Sequence, residues 1–323
     1  MRIGFTYDLR DDYLQMGLDE EATAEFDSIY TIESITKTLE DLGHSVERIG
    51  NIWNLTKLLV LGNKWDLVFN IAEGLHGLAR EAQIPALLDA YNQPYTFSAP
   101  DVIVVCHDKS LAKLQLHKEG LATAQWHVVR KVEDVQNIAM PFPLFAKPLA
   151  EGTGKGVSAK SVLYNMDDAR KICADLLERF SQPVLIEKYL SGREFTIGIL
   201  GTGEDAEVVA VMEIESLHSA EFGGHTYENK EDWQNRMKYS LATDQVAIQA
   251  ATLALESWKV LQCRDAGRID IRCDENQVPH FLEVNPLAGL HATHSDFPML
   301  ARMVGIEFPE LIQKIVTHAQ KRI

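Results

Sequence analysis

Ile29, Ile32, Ile35, Leu39 and Leu42 recur at intervals of three or four residues, and Gly43 follows the last of them. That spacing lays an apolar stripe along one face of a helix over 24–42, and glycine is the residue that most readily ends a helix. Strand-like runs flank the stripe at 2–7 and 45–49, so the first fifty residues read strand, helix, strand. The alternation continues with a helix over 53–61, a strand over 66–71 and a helix over 79–91. Strands that alternate with helices build a small parallel sheet with helices on its faces. Ligands of such sheets sit at the carboxyl ends of the strands, which puts 7–10 and 70–77 at the productive edge. The acidic stretches at 8–12 and 19–25 read as solvated surface.

A second unit begins near Pro100. It has a helix over 108–119, a strand over 142–148 that runs into the glycine-rich loop 151–157, and strands at 184–189 and 194–200. A helix over 244–258 precedes the densest motif region, 267–298, and a last helix covers 309–321. The chain therefore divides into an N-terminal α/β unit (1–99), a central lobe with the glycine loop (100–186) and a C-terminal lobe (187–323).

Charge narrows the range of partners. Lys and Arg number 31 against 47 Asp and Glu, a formal net charge of −16, which argues against a nucleic-acid polyanion or an anionic membrane as partner. No apolar run approaches the length of a membrane span. The four cysteines form no CxxC pair, and the amino terminus lacks a signal-peptide pattern, so a cytoplasmic enzyme is expected. His291 and His294 are spaced HxxH, but a single pair in a loop does not make a zinc site.

The strongest chemical signal lies at Arg268, Asp270, Glu283 and Asn285. Two strand-like segments carry them, joined by the polar turn 274–277, so an antiparallel hairpin is expected. Alternation puts Arg268 and Asp270 on one face and Glu283 and Asn285 on the matching face. Hard oxygen ligands in that number suit magnesium bridging phosphates. Taken alone, the face fits a solvated surface with a cross-strand Arg–Asp pair better than a metal site. Gly152, Gly154 and Gly156, just after Lys147, let backbone N–H groups approach a phosphate, and Lys155 adds charge. The spacing matches neither a Walker A loop nor the dinucleotide fingerprint, and a plain turn also fits.

In this order and spacing the segments resemble the ATP-grasp enzymes, specifically the D-alanine–D-alanine ligase family. The resemblance rests on Phe69, Asn70 and Gly74; Pro94 to Thr96; Asp108, Lys109 and Lys113; Lys147 and Pro148; Glu187 to Gly192 with Glu194; Gly267 to Asp270; and Glu283 to Asn285 with Gly289. It implies an α/β ATP-grasp fold: a small parallel domain followed by two lobes that clamp ATP between antiparallel sheets. Lys109 and Lys147 would hold the phosphates under a lid containing Thr153 and Lys155. Glu187 and the backbone of Lys188, Tyr189 and Leu190 would meet adenine, and Glu194 the ribose. Asp270, Glu283 and Asn285 would hold two magnesium ions, with manganese as an alternative. Lys230, in a mobile loop, would reach the terminal phosphate, and Arg268 would stabilise the oxyanion of a tetrahedral intermediate.

Substrate positions depart from the family pattern. The ligases carry His-Gly followed by Gly-Glu-Asp-Gly; this chain has Glu73 and Gly74, then Gly77, Leu78, Ala79, Arg80 and Glu81. The ammonium-gripping acid of the family has its counterpart in Glu25, and Gly289, His294 and Ser295 stand near the second substrate's carboxylate. Thr153 and Lys155 replace paired serines. The resemblance thus implies an ATP-dependent carboxylate–amine ligase acting on amino acids or an amino-acid-like metabolite, as a monomer or homodimer. Authentic D-alanine–D-alanine ligase is the nearest alternative. A catalytically lapsed nucleotide-binding module is the alternative of another class.

Overall fold

The computed structural model describes residues 1–217 and 237–323. Lys230 and the mobile loop expected around it lie outside the described residues. The N-terminal unit contains β1 (Arg2–Thr6), α1 (Arg10–Gln15), α2 (Ile29–Asp41), β2 (Ser45–Gly50), α3 (Ile52–Val60), β3 (Leu67–Asn70) and α4 (Gln83–Ala90). Its sheet is parallel, in the order β2-β1-β3. The helix α2 starts at Ile29, the first residue of the apolar period, and not at residue 24 as expected from the sequence. Ser28 caps it by accepting the Thr31 N–H, and the Asp27 N–H is donated to the Asp8 carbonyl at the end of β1. These bonds hold the segment before α2 as an extended strap across the productive edge of the sheet.

A second correction concerns the same edge. Asp8 is 3% exposed; its carboxylate accepts the Tyr13 hydroxyl and the Gly74 N–H. Asp8 is thus drawn inward, while Asp11, Asp12, Asp19 and Glu20 of the same acidic stretches are exposed as expected.

Next come α5 (Pro100–His107) and α6 (Lys109–Lys118), the latter capped by Asp108. The central sheet holds β4 (Trp126–Val129), β5 (Leu144–Pro148), β6 (Val162–Leu163) and β7 (Val184–Lys188), in the antiparallel order β4-β7-β5-β6, with α7 (Met166–Phe180) against it. The third sheet, of β8 (Glu194–Leu200), β9 (Glu207–Ser216), β10 (Met237–Leu241), β11 (Ala266–Cys273) and β12 (Pro279–Asn285), runs antiparallel as β10-β9-β8-β11-β12. The last helices are α8 (Gln245–Val260), α9 (Asp296–Met303) and α10 (Phe308–Gln320).

Cores and chain segments do not coincide one to one. Ala112 and Leu116 of α6 pack with Ile197, Ile269 and Trp258 in the core of the third sheet. Leu311, Ile312, Ile315 and Val316 of α10 lie in one cluster with Ile3, Phe5, Ile32 and Ile35 of the N-terminal unit. Burying each of those four side chains contributes roughly 1.5–3 kcal/mol. The N-terminal sheet is thereby bound to the end of the chain, and the sites between the three sheets are built on one continuous frame.

Candidate active site

The hairpin β11–β12 pairs Arg268 with Asn285, Ile269 with Val284 and Asp270 with Glu283. Ile269 and Val284 face the core, so the period-two alternation puts the four polar residues on the other surface. Asp270 is 2% exposed. Its carboxylate accepts Arg268 Nη1 at 2.8 and 2.9 Å, Thr196 Oγ1 at 2.8 Å and Asn285 Nδ2 at 3.3 Å. Arg268 also pairs with Asp296 at 3.3 Å. Glu283 lies 3.7 Å from Lys109 and 3.8 Å from Lys147. Two carboxylates and an amide on neighbouring strands form an all-oxygen donor set, which fits a hard divalent cation.

Opposite this face, β5 and β7 supply Lys147 and Glu187. Glu187 pairs with Lys147 at 3.0 Å and with Lys113 at 2.5 Å. Burial would raise the Glu187 carboxyl, but the two lysines outweigh it and hold it below the usual carboxylate range. Burial likewise opposes the charge on Lys147, yet Glu187 and Glu283 keep its pKa raised. Lys113 has no exposed surface, and burial pulls its pKa down despite Glu187. It also donates to Thr123 Oγ1 at 2.8 Å and the Phe281 carbonyl at 3.3 Å. The Glu187 carboxylate therefore anchors lysines, an assignment the sequence did not suggest. Lys109, Lys147, Lys155, Glu187, Lys188, Tyr189, Leu190, Glu194, Asp270 and Glu283 nevertheless line one cavity. The Lys188 N–H is donated to the Gln125 carbonyl and the Tyr189 N–H to that of Pro143, and Glu194 pairs with Arg272 at 3.1 Å.

A second cleft of about 360 Å³ adjoins the first and shares Lys109, Glu151 and Glu283 with it. Glu25, Asp27, Glu73, Thr153, Arg268, Asn285, Gly289, His294 and Ser295 line it. Gly74 has φ +73°, and a Cβ there would stand 2.5 Å from the Arg80 carbonyl. Only glycine allows this turn, which folds 73–80 back on itself beside the cleft. Ser295 Oγ accepts the His291 N–H at 3.0 Å, and the His291 and His294 rings stand 5.5 Å apart. Thr153 takes a left-handed backbone (φ 49°), and its buried hydroxyl has no partner among the described residues.

Glu25 is not an open carboxylate. It pairs with Arg80 at 2.8 Å and Lys155 at 3.0 Å. Burial opposes its ionisation, but Arg80 and Lys155 prevail and hold it at about 2. Two acids that share its cleft behave in the opposite way. Burial, reinforced by Asp8, pushes Asp27 up to about 8. Burial, with Glu81, Glu25 and Asp27 nearby, raises Glu73 well above its ordinary value. Asp27 carried no signal in the sequence, because nothing local marks it as pocket-facing, and Arg80 stood out only as a departure from the family pattern.

The comparisons with known proteins agree with this geometry. Residues 115–317 match the family model "D-ala D-ala ligase C-terminus". The chain belongs to the D-alanine–D-alanine ligase family. As a member of that ligase family it is an ATP-dependent enzyme that forms a carbon–nitrogen bond. A D-alanine–D-alanine ligase of Bordetella petrii is 30% identical over 263 residues, covering 80% of this chain and 77% of its own. One from Aquifex aeolicus is 29% identical over 90% of this chain and 94% of its own. Among solved structures, the ATP complex of the Bacillus anthracis ligase superposes with TM-score 0.75 at 22% identity, covering 100% of this chain and 98% of its own. The VanG D-Ala:D-Ser ligase of Enterococcus faecalis gives TM-score 0.74 at 15% identity, over 98% and 99%. The ATP-grasp architecture expected for the family is the architecture found. Ligases of this family use ATP with a divalent metal. Among the described residues no helix is long and apolar enough to cross a membrane.

Proposed function

We propose that the protein joins two amino acids, or an amino acid and an amino-acid-like metabolite, through an acyl-phosphate intermediate. What supports this reading is the pair of adjoining clefts. One is lined by buried lysines facing an all-oxygen donor set, the other by carboxylates and by Arg268, which pairs with Asp270 of the first. A substrate carboxylate oxygen attacks the γ-phosphorus of ATP; the bond to ADP breaks and an acyl phosphate forms. The second substrate's amine then attacks the acyl carbon, loses a proton, and inorganic phosphate departs. Lys147 and Lys109 bind and orient the phosphates, and Arg268 offers N–H groups to the oxyanion of the tetrahedral intermediate. Asp270, Glu283 and Asn285 would hold two magnesium ions, or manganese in their place, whose chemistry is neutralisation of phosphate charge. Lys188, Tyr189, Leu190 and Glu194 would hold the nucleoside.

The test is phosphate release from ATP across pairs of D- and L-amino acids, the D-alanine pair included. Release that requires an amino acid supports the reading; none with any pair favours a nucleotide-binding module.

Glu73 is assigned to a substrate ammonium. Glu73→Gln is expected to raise KM for the amino acid by one to two orders of magnitude, since a charged hydrogen bond contributes about 1.5–3 kcal/mol. ATP affinity should stay unchanged; an equal effect on both substrates would displace Glu73 from the pocket. Asp27 is assigned to the same cation, which gives the pH dependence its sign. Below about pH 8 the empty cleft holds Asp27 protonated, and an ammonium prefers the carboxylate. Binding must then release a proton, so amino-acid KM should fall as pH rises from 6 towards 8. Asp27→Asn should make that slope shallower, with Glu73, whose pKa burial also raises, supplying the rest; an unchanged slope assigns it to another group.

A further inference from the structure

Glu25, the expected counterpart of the family's ammonium-gripping acid, meets Arg80 and Lys155, two residues at places where the sequence leaves the family pattern. Arg80 is 8% exposed. It donates to Glu25 Oε2 at 2.8 Å, to the Ala150 carbonyl at 3.2 Å and to His107 Nε2 at 3.0 Å, and lies 3.6 Å from Glu151. Because arginine can only donate, His107 Nε2 is the acceptor, and Nδ1 carries the proton that faces Glu81 at 2.6 Å. Glu25 in turn accepts the Gly152 N–H at 2.8 Å and Lys155 Nζ at 3.0 Å. Lys155 also reaches Glu151 at 3.2 Å. Lys109 donates to the Glu151 carbonyl at 2.7 Å, and Gln182 holds Glu151 Oε1 and the Ala150 N–H. The root of the glycine loop is thus gripped from three directions, and its tip is tied to the N-terminal unit through one carboxylate.

We propose that Arg80 is a positioning residue that fastens the glycine loop shut over the junction of the two clefts, acting through Glu25. The cluster contains two cations, Arg80 and Lys155, and two carboxylates, Glu25 and Glu151. Without Arg80, two buried carboxylates share one ammonium, and the low-dielectric surroundings make that excess charge costly. The loop then relieves it by moving out. Glu25, engaged by three donors, is a structural tie, which leaves Asp27 and Glu73 to read a substrate cation. The consequence for turnover rests on the acyl-phosphate reading above: a loosened loop admits water to the intermediate, and ATP is hydrolysed without a new C–N bond.

The test uses Arg80→Met, Arg80→Lys, Glu25→Gln and the Arg80→Met/Glu25→Gln double variant of the full chain. In the free protein, thermolysin cleavage within 151–157 should accelerate about tenfold in Arg80→Met and Glu25→Gln, and Arg80→Lys should restore part of the protection. The double variant should be no more cleavable than the worse single one, because both remove the same tie. In turnover by Arg80→Met, phosphate released per product bond should rise about tenfold. Unchanged loop cleavage in both single variants, or additive effects in the double, overturns the proposal. Should Arg80→Met fail to fold, Glu25→Gln carries the same comparison. Loop cleavage needs no substrate, so it reports on Arg80 even if no amino-acid pair is ever turned over.

Discussion

Lys147→Ala is expected to weaken ATP binding by roughly ten- to a hundredfold, with calorimetry on the free protein as the measurement. The ammonium is 6% exposed and already dehydrated, so a phosphate oxygen that meets it loses little solvation from the protein's side. A charged hydrogen bond of that kind contributes about 1.5–3 kcal/mol, which is the stated range in Kd. The substitution also takes one lysine from Glu187, which keeps Lys113, and one from Glu283, which keeps Lys109, making the phosphate wall more negative when nucleotide arrives. Lys113 cannot take over, because its three protons already serve Glu187, Thr123 and the Phe281 carbonyl. Undiminished ATP affinity would place the phosphates elsewhere.

Arg268→Met should lower kcat by about a hundred- to a thousandfold, the range typical for removing an oxyanion donor, while ATP affinity changes far less. Among the described residues both carboxylate contacts of Arg268, to Asp270 and Asp296, fall on Nη1, so Nη2 is available to an oxyanion. Stopped-flow comparison of phosphate formation with the full cycle locates the defect. The expected pattern is a slowed cycle with both ATP and amino acid still bound. A drop confined to ATP affinity would instead make Arg268 a support for Asp270 and nothing more. Asp296→Asn, which removes one anchor and leaves the guanidinium in place, should lie between the wild type and Arg268→Met.

The hairpin was legible because a period of two is local: Ile269 and Val284 had to face inward, so Arg268, Asp270, Glu283 and Asn285 had to face out together. Gly43 and the spacing of Ile32, Ile35 and Leu39 fixed α2 in the same way. What escaped the sequence is what depends on remote partners. Glu25 meets Arg80 across 55 positions and Lys155 across 130, so a carboxylate that reads as surface becomes the best-paired acid of the cleft. Asp27 was hidden for a related reason: the helix expected over 24–42 ran through it, while the Ser28 cap puts the start of α2 past it. Lys113 stood in a recognised block, but its position under Glu187 follows from how α6 packs against the third sheet, which no spacing reveals.

The packing of α10 into the first sheet has a bearing on how the chain is made. Ile3 and Phe5 leave the ribosome some 300 residues before Leu311 to Val316, which complete their core. At roughly 5–20 residues per second that is a wait of about 15–60 s. Throughout it the parallel strands and α2 carry an uncovered apolar surface, so this early segment closes only when α10 arrives.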